Sequence, residues 1–278
     1  MPGEPTIRVL DDPDAVSHAA AEAIVAALRD AVDARGRAQW ATTGGSTPIG
    51  IYRELAAPPH RDEVPWESVH VWWGDDRFVP RDHPLSNVLP LEEVLLSNSA
   101  RAGLSGTGAD AAEVALGIEP GVVMPVENIH PPSMGRAIGR SLGADSVAME
   151  YEAELRGAGL EVGANGFPVF DVILVGIGSD GHVLSVFPGS PLFDGEAWVS
   201  AVPAPTHIEP HVARVSLHPR VLEAARLPIV VAHGDGKAAI LASVLGPERD
   251  ERRWPAQLAR REGAVWFLDR AAAAQLPG

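Results

Sequence analysis

The chain has 278 residues, 46% of them hydrophobic, enough to bury a sizeable core, and one α/β domain spanning 1–278 is the expectation. Its 22 Lys and Arg against 37 Asp and Glu leave a net charge of -15, which argues against a general affinity for nucleic acid or anionic membrane and requires any anionic ligand to meet a local basic patch. There is no cysteine, which excludes disulfides, thiolate metal sites and a cysteine nucleophile and fits a reducing compartment, so a cytoplasmic location is expected.

The opening stretch MPGEPTIRVLDDPDA has no basic start followed by an apolar run, and no segment approaches the apolar length of a membrane span. A soluble, unexported protein is the expectation. Thr6 to Leu10 reads as a strand, Asp14 to Arg35 as a long helix with Ala, Val and Leu on one face, and Ala38 to Thr42 as the next strand. A turn, Thr43-Gly44-Gly45-Ser46-Thr47-Pro48, follows at once and leads into a second helix. Its glycines let backbone N–H groups approach a ligand, and a helix N-terminus favours an anion, so a phosphate fits; the alternative is an ordinary strand-to-helix turn with Ser46 as its cap.

Val69 to Trp73 is a further strand, and past its end come Gly74-Asp75-Asp76-Arg77-Phe78-Val79-Pro80, His83 and Ser86-Asn87, read as a loop. Strand C-termini are where open α/β sheets place ligands. There Arg77 could stabilise developing negative charge and Asp75 could hold a hydroxyl or a partner side chain; the alternative is a set of solvent-facing ion pairs. A metal site from Asp75, Asp76, His83 and a distant histidine lacks recognisable ligand spacing, and none is expected. From 97 to 123 the composition turns to Ser, Gly, Ala and acidic residues, which predicts an exposed insertion.

Phe170 to Gly176, FDVILVG, is a nearly continuous apolar run ending in glycine, as a central strand entering a site loop would be. It continues into Gly176-Ile177-Gly178-Ser179-Asp180-Gly181-His182, where a neutral imidazole could take a proton from water; a structural histidine bonded to backbone is the alternative. The glycine spacing does not match a dinucleotide fingerprint. Leu227 to Ala232 repeats the buried-strand pattern, and Lys237 follows it at the start of a helical stretch from Ala238 to Leu245. Lys237, and Arg214 within Val212 to Leu217, could clamp a phosphate or simply be solvated. Of the seven tryptophans, Trp40, Trp72 and Trp266 are assigned to the core, while Trp73 borders a motif and could wall a pocket. Strands alternating with helices predict a mostly parallel sheet covered on both faces, a Rossmann-like α/β class.

Taken together, GGSTP from Gly44, WGDDRFVPRDHPLSN from Trp73 to Asn87, Asn128-Ile129-His130-Pro131, GIGSDGHVLSVFPGSP from Gly176 to Pro191 and the closing Trp266-Phe267-Leu268-Asp269 resemble, in order and spacing, the 6-phosphogluconolactonase family. The resemblance implies a glucosamine-6-phosphate deaminase-type fold and hydrolysis of 6-phospho-D-glucono-1,5-lactone to 6-phosphogluconate, in the oxidative pentose phosphate pathway, with no cofactor and no metal. It implies His182 as general base, Arg77 at the oxyanion and Asp75 orienting His182 or a sugar hydroxyl. Gly44, Gly45, Ser46, Thr47, Arg214 and Lys237 would hold the phosphate. The partner is then a small phosphorylated sugar lactone, with no nucleic acid and no membrane, for a monomer or small homo-oligomer. Asp76 stands where glutamate is more usual, Leu85 where aspartate is common, and Leu184 where alanine is usual; Pro205 to His211 departs more strongly from a Pro- and Lys-rich stretch. A glucosamine-6-phosphate deaminase or sugar-phosphate isomerase is the nearest alternative, opposed by Arg77 and by SVFPG at Ser185 to Gly189. A non-catalytic sugar-phosphate sensor is the third, opposed by the retained catalytic residues and by a first strand close to the N-terminus.

Overall fold

The structure is a computed structural model and describes residues 3–96 and 121–276. Seven strands form a parallel sheet in the order β1 (Thr6–Leu10), β10 (Val265–Asp269), β9 (Leu227–Ala232), β6 (Val172–Gly176), β2 (Ala38–Thr42), β3 (Val69–Trp73) and β5 (Ile129–His130). The predicted insertion at 97–123 lies outside the described residues except for 121–123.

Strand alternation divides the core in two. Trp40, Val71, Trp73, Val172, Leu174, Val231 and Phe267 face one side, where the helices Pro13–Arg35 and Thr47–Ala56 pack. Ala41, Trp72, Ile173, Val175, Val230 and Trp266 face the other, against the helices Ala144–Gly157 and Ala238–Val244. Both faces are therefore covered, which explains why central strands such as β6 are apolar at consecutive positions. The first helix begins where the Asp12 side chain accepts from Ala15 N at 2.8 Å and ends at Gly36, whose φ of 73° suits a left-handed cap.

Two expectations about strands are corrected. β6 begins at Val172, because Asp171 ahead of it turns its carboxylate onto Gln39 N at 2.8 Å and Arg35 at 2.7 Å, pinning the strand's start with a side chain. The segment expected to be a loop after β3 is a strand, β4 (Asp75–Arg77), which leaves the main sheet at Gly74 and pairs antiparallel with β8 (Arg214–Leu217). β8 pairs in turn with β7 (Val199–Val202), making a second, three-stranded sheet. Trp73 is fully buried and donates its Nε1–H to Asn87 O at 3.0 Å, so it belongs to the core and not to a pocket wall.

Candidate active site

β2 and β6 are neighbours, yet the chain order runs outward from them in opposite directions, through β3 and β5 on one side and β9 and β10 on the other. Loops leaving such a switch point diverge and leave a crevice at the strand C-termini. A cleft of about 270 Å³ lies there. Its lining brings together every residue predicted for the site: Gly44, Gly45, Ser46, Thr47, Asp75, Arg77, His182, Arg214 and Lys237.

The Gly-rich loop after β2 is shaped by close approach. A Cβ on Gly44 would lie 2.3 Å from Asn87 Oδ1 and 2.4 Å from Asn87 Cα, and Gly45 has φ of +86°. Ser46 makes no side-chain capping bond, so the reading of Ser46 as an ordinary cap is not what the structure holds. Thr47, the first residue of the helix Thr47–Ala56, lines the cleft together with Thr43 to Ser46, so the positive end of the helix dipole lies at the cleft. Lys237, half-buried in the turn after β9, donates to Ile177 O at 2.7 Å; burial pushes its pKa down and the charge of Asp180 opposes that.

Arg77 and Arg214 are directly opposed across the β4–β8 pairing. Like charges so placed are destabilising. Arg77 donates Nη1 to Leu85 O at 3.0 Å and leaves its buried Nε without a partner; Arg214, 4% exposed, donates Nη2 to Pro210 O at 3.1 Å and leaves Nη1 without one. Neither forms a salt bridge among the described residues. The Arg214 guanidinium lies 4.9 Å from the Phe187 ring centre, and burial drives its pKa down, Asp75 opposing and Arg77 adding to that shift. Two desolvated cations with unfilled donors are an anion site in waiting.

His182 sits on a tight turn closed by Gly178 N to His182 O at 2.8 Å and Gly181 N to Gly178 O at 3.1 Å. Its ring lies so close to Gly178 that a Cβ there would be 2.0 Å from His182 Nδ1. The carboxylate of Asp180 accepts from His182 Nδ1 at 2.6 Å and from His182 N at 3.1 Å. An acceptor at Nδ1 fixes the hydrogen there and leaves Nε2 with the lone pair. Burial pushes the Asp180 carboxyl up, but the hydrogen bonds and charge of His182, with a hydrogen bond from His207, outweigh it and hold the group well below the usual carboxylate range.

Asp75 does not take the part of orienting His182. It is 5% exposed, and its carboxylate accepts from Ser185 Oγ at 2.5 Å and Asn87 Nδ2 at 3.2 Å. Asp180 is nearer by construction, two residues from the imidazole on the same turn. Its spacing from His182 is the signal that could have revealed it. Asp76 lies behind the cleft wall and accepts from Arg77 N at 2.8 Å and Asn87 N at 2.6 Å, while burial pushes its carboxyl up to about 7. Asn87, read in the sequence as part of the segment past β3 but given no role there, donates to Asp75 and packs against Gly44, and its Oδ1 is buried without a partner. Asp75, Asp76 and His83 do not converge; His83 Nδ1 accepts from Leu85 N at 3.0 Å. Among the described residues the cluster close enough to share an ion is His18, Glu54 and His60, none of which lines the cleft.

The family model for glucosamine-6-phosphate isomerases/6-phosphogluconolactonase matches residues 11–267. A 6-phosphogluconolactonase of Streptomyces coelicolor is 32% identical over 281 residues, spanning 100% of this chain and 97% of its own length. One from Mycobacterium tuberculosis is 31% identical over 274 residues, 98% of each. The solved 6-phosphogluconolactonase of Trypanosoma brucei superposes with a TM-score of 0.77 at 28% identity, covering 99% of this chain and 100% of that one. A monomeric glucosamine-6-phosphate deaminase superposes with a TM-score of 0.72 over 97% of this chain and 99% of that one, but at 15% identity the likeness is one of fold.

Proposed function

The chain belongs to the family of glucosamine-6-phosphate isomerases and 6-phosphogluconolactonases, and on that premise we propose that it hydrolyses 6-phospho-D-glucono-1,5-lactone to 6-phosphogluconate, the lactone-opening step of the oxidative pentose phosphate pathway. The observation that carries this reading is His182, held through Nδ1 by Asp180 at the switch-point cleft, beside cationic groups that lack a neutralising partner.

With Nδ1 committed to Asp180, His182 Nε2 takes a proton from water as the water oxygen attacks the lactone carbonyl carbon. The tetrahedral oxyanion is stabilised by the guanidinium of Arg77, which lines the cleft and forms no salt bridge among the described residues. Collapse breaks the bond to the ring oxygen, and the imidazolium returns its proton to that oxygen, giving the open-chain acid. The phosphate is held by the N–H groups at Gly44, Gly45, Ser46 and Thr47 and by Arg214 and Lys237, which fixes the carbonyl's approach to His182. Asp75 holds the Ser185 and Asn87 side chains in place and presents an edge to a sugar hydroxyl. This reading treats 1–278 as one domain and places it in the cytoplasm, supported by the cysteine-free sequence. Among the described residues no helix is long and apolar enough to cross a membrane.

The test is substrate discrimination. The protein should accelerate loss of freshly generated 6-phosphoglucono-lactone above its spontaneous rate, act poorly on the unphosphorylated lactone, and release no ammonia from glucosamine 6-phosphate. Ammonia release without lactone acceleration would replace this reading with the deaminase one.

A further inference from the structure

Asp180 has two oxygens and two imidazoles. Oδ1 accepts from His182 Nδ1 at 2.6 Å, and Oδ2 lies 3.0 Å from His207 Nε2. His207 sits in the connection between β7 and β8, within the stretch that departs from the family pattern. Phe187 lies between the groups: its ring centre is 4.7 Å from that of His182 and 5.4 Å from that of His207, the latter edge-on at 87°. The connection is braced at two further points, His211 Nδ1 to Pro205 O at 2.7 Å and Arg214 Nη2 to Pro210 O at 3.1 Å, and its Ile208 and Glu209 line the cleft.

We propose that His207 is a positioning residue for the hydrolysis, completing a His207–Asp180–His182 chain that locks the plane of the Asp180 carboxylate and tunes the basicity of His182. The proposal rests on His182 being the general base. Without His207 the carboxylate would be held at Oδ1 alone, by His182 Nδ1 and His182 N, leaving Oδ2 free to swing; with His207 both oxygens are fixed. Turning would cost His182 its tautomer and its direction.

Charge gives the second effect. Asp180 shares its surroundings with His182 on its own turn, His207 from the β7–β8 connection, Lys237 from the turn after β9 and Arg214 from β8, and the charge of Asp75 also acts on Arg214. On the connection itself, Glu209 pairs with His211 at 3.0 Å. Of the groups around Asp180, His207 is an imidazole reached by solvent, its side chain 52% exposed, so it can gain or lose a proton without leaving the cluster. When protonated it opposes a second positive charge on His182, so His182 stays an available base to lower pH. Removing His207 raises the proton affinity of His182 and moves the acid limb of kcat/KM to higher pH.

The experiment uses the full chain with His207→Ala and His207→Gln, read two ways. The first is the pH profile of phosphorylated-lactone hydrolysis; the second is the tautomer of His182 by ¹⁵N imidazole NMR of the unliganded protein. His207→Ala should lose roughly tenfold in kcat, as expected for an outer partner of a catalytic group, with KM near wild type. Its acid limb should rise by roughly half a pH unit, the size of one charge removed from beyond a carboxylate in a solvated site. His207→Gln, an uncharged donor, should recover kcat but keep the shifted limb. By NMR, His182 should be the Nδ1–H tautomer in wild type and His207→Gln and mixed in His207→Ala. A wild-type limb together with an unchanged tautomer in His207→Ala overturns the proposal. If wild type hydrolyses no lactone, the function reading fails and the tautomer measurement alone decides the role of His207.

Discussion

At the scale of single residues, the site depends on what is missing as much as on what is present. Gly178 has no side chain because the His182 ring occupies that space; a methyl group there would fall 2.0 Å from Nδ1 and drive the ring off Asp180. Gly178→Ala is therefore expected to lower kcat by roughly 10² or more, the scale of losing general-base assistance, while the protein stays folded. Unchanged kcat in steady-state assays would contradict the orientation argument. Asp76 and Asp180 then carry opposite pH signatures. The Asp76 carboxyl is raised to about 7, so the stability it contributes is complete below the ordinary carboxylate pKa and is lost as pH climbs through about 7. Asp76→Asn keeps an acceptor for Arg77 N and Asn87 N and gains a donor towards Ser86 Oγ, 3.4 Å from Asp76 Oδ2. Thermal unfolding of that variant should show a higher Tm than wild type at pH 8 and a flatter dependence between pH 4 and 7; a lower Tm at pH 8 would show that the ionised form is the stabilising one. Asp180 is held low, so its contribution is present above the ordinary carboxylate range and is lost only in more acid solution.

At the scale of elements, β4 and β8 place Arg77 opposite Arg214, an arrangement that penalises the empty protein and rewards an anion. Arg214→Met should hold or raise the Tm of the unliganded protein and raise KM for the phosphorylated lactone by roughly tenfold to a hundredfold, the loss of one charge-assisted contact. A fall in Tm with KM unchanged would make Arg214 structural. This pairing was hidden in the sequence because Asp75-Asp76-Arg77 has no apolar alternation from which to read a strand. The strands that were legible, such as Val69–Trp73 and Leu227–Ala232, carry β-branched and aromatic residues buried on both faces. The same division runs through the site. His182, Arg77 and the Gly44-Gly45 turn are marked out by residue type and position after a strand, and all three line the cleft. Which carboxylate holds the imidazole is a matter of side-chain reach, and the two-residue spacing of Asp180 from His182 hints at it without fixing which way either side chain turns. Only the turn geometry separates them, bringing Asp180 to 2.6 Å and leaving Asp75 with Ser185.

At the scale of the whole molecule, a chain of net charge -15 brings Arg77, Arg214 and Lys237 together with a helix N-terminus at the point where the sheet reverses direction, the arrangement that drawing in an anion requires. Added inorganic phosphate should therefore raise the Tm of the unliganded protein in a concentration-dependent way, as any ligand of the native state does, and Arg214→Met should weaken the shift. A scan with no phosphate dependence would remove the anion from the account. The sheet order also explains why residues as far apart in sequence as Ser46 and Lys237 share one cleft: β2, β6 and β9 are consecutive in space, so the loops after them open side by side. The most direct measurement of the central claim is the hydrolysis of freshly generated 6-phosphoglucono-lactone by wild type and His182→Ala, each corrected for the spontaneous reaction. Wild type should accelerate the reaction clearly, and the variant's kcat should be lower by roughly 10² to 10⁴. Equal acceleration by a folded His182→Ala would contradict it.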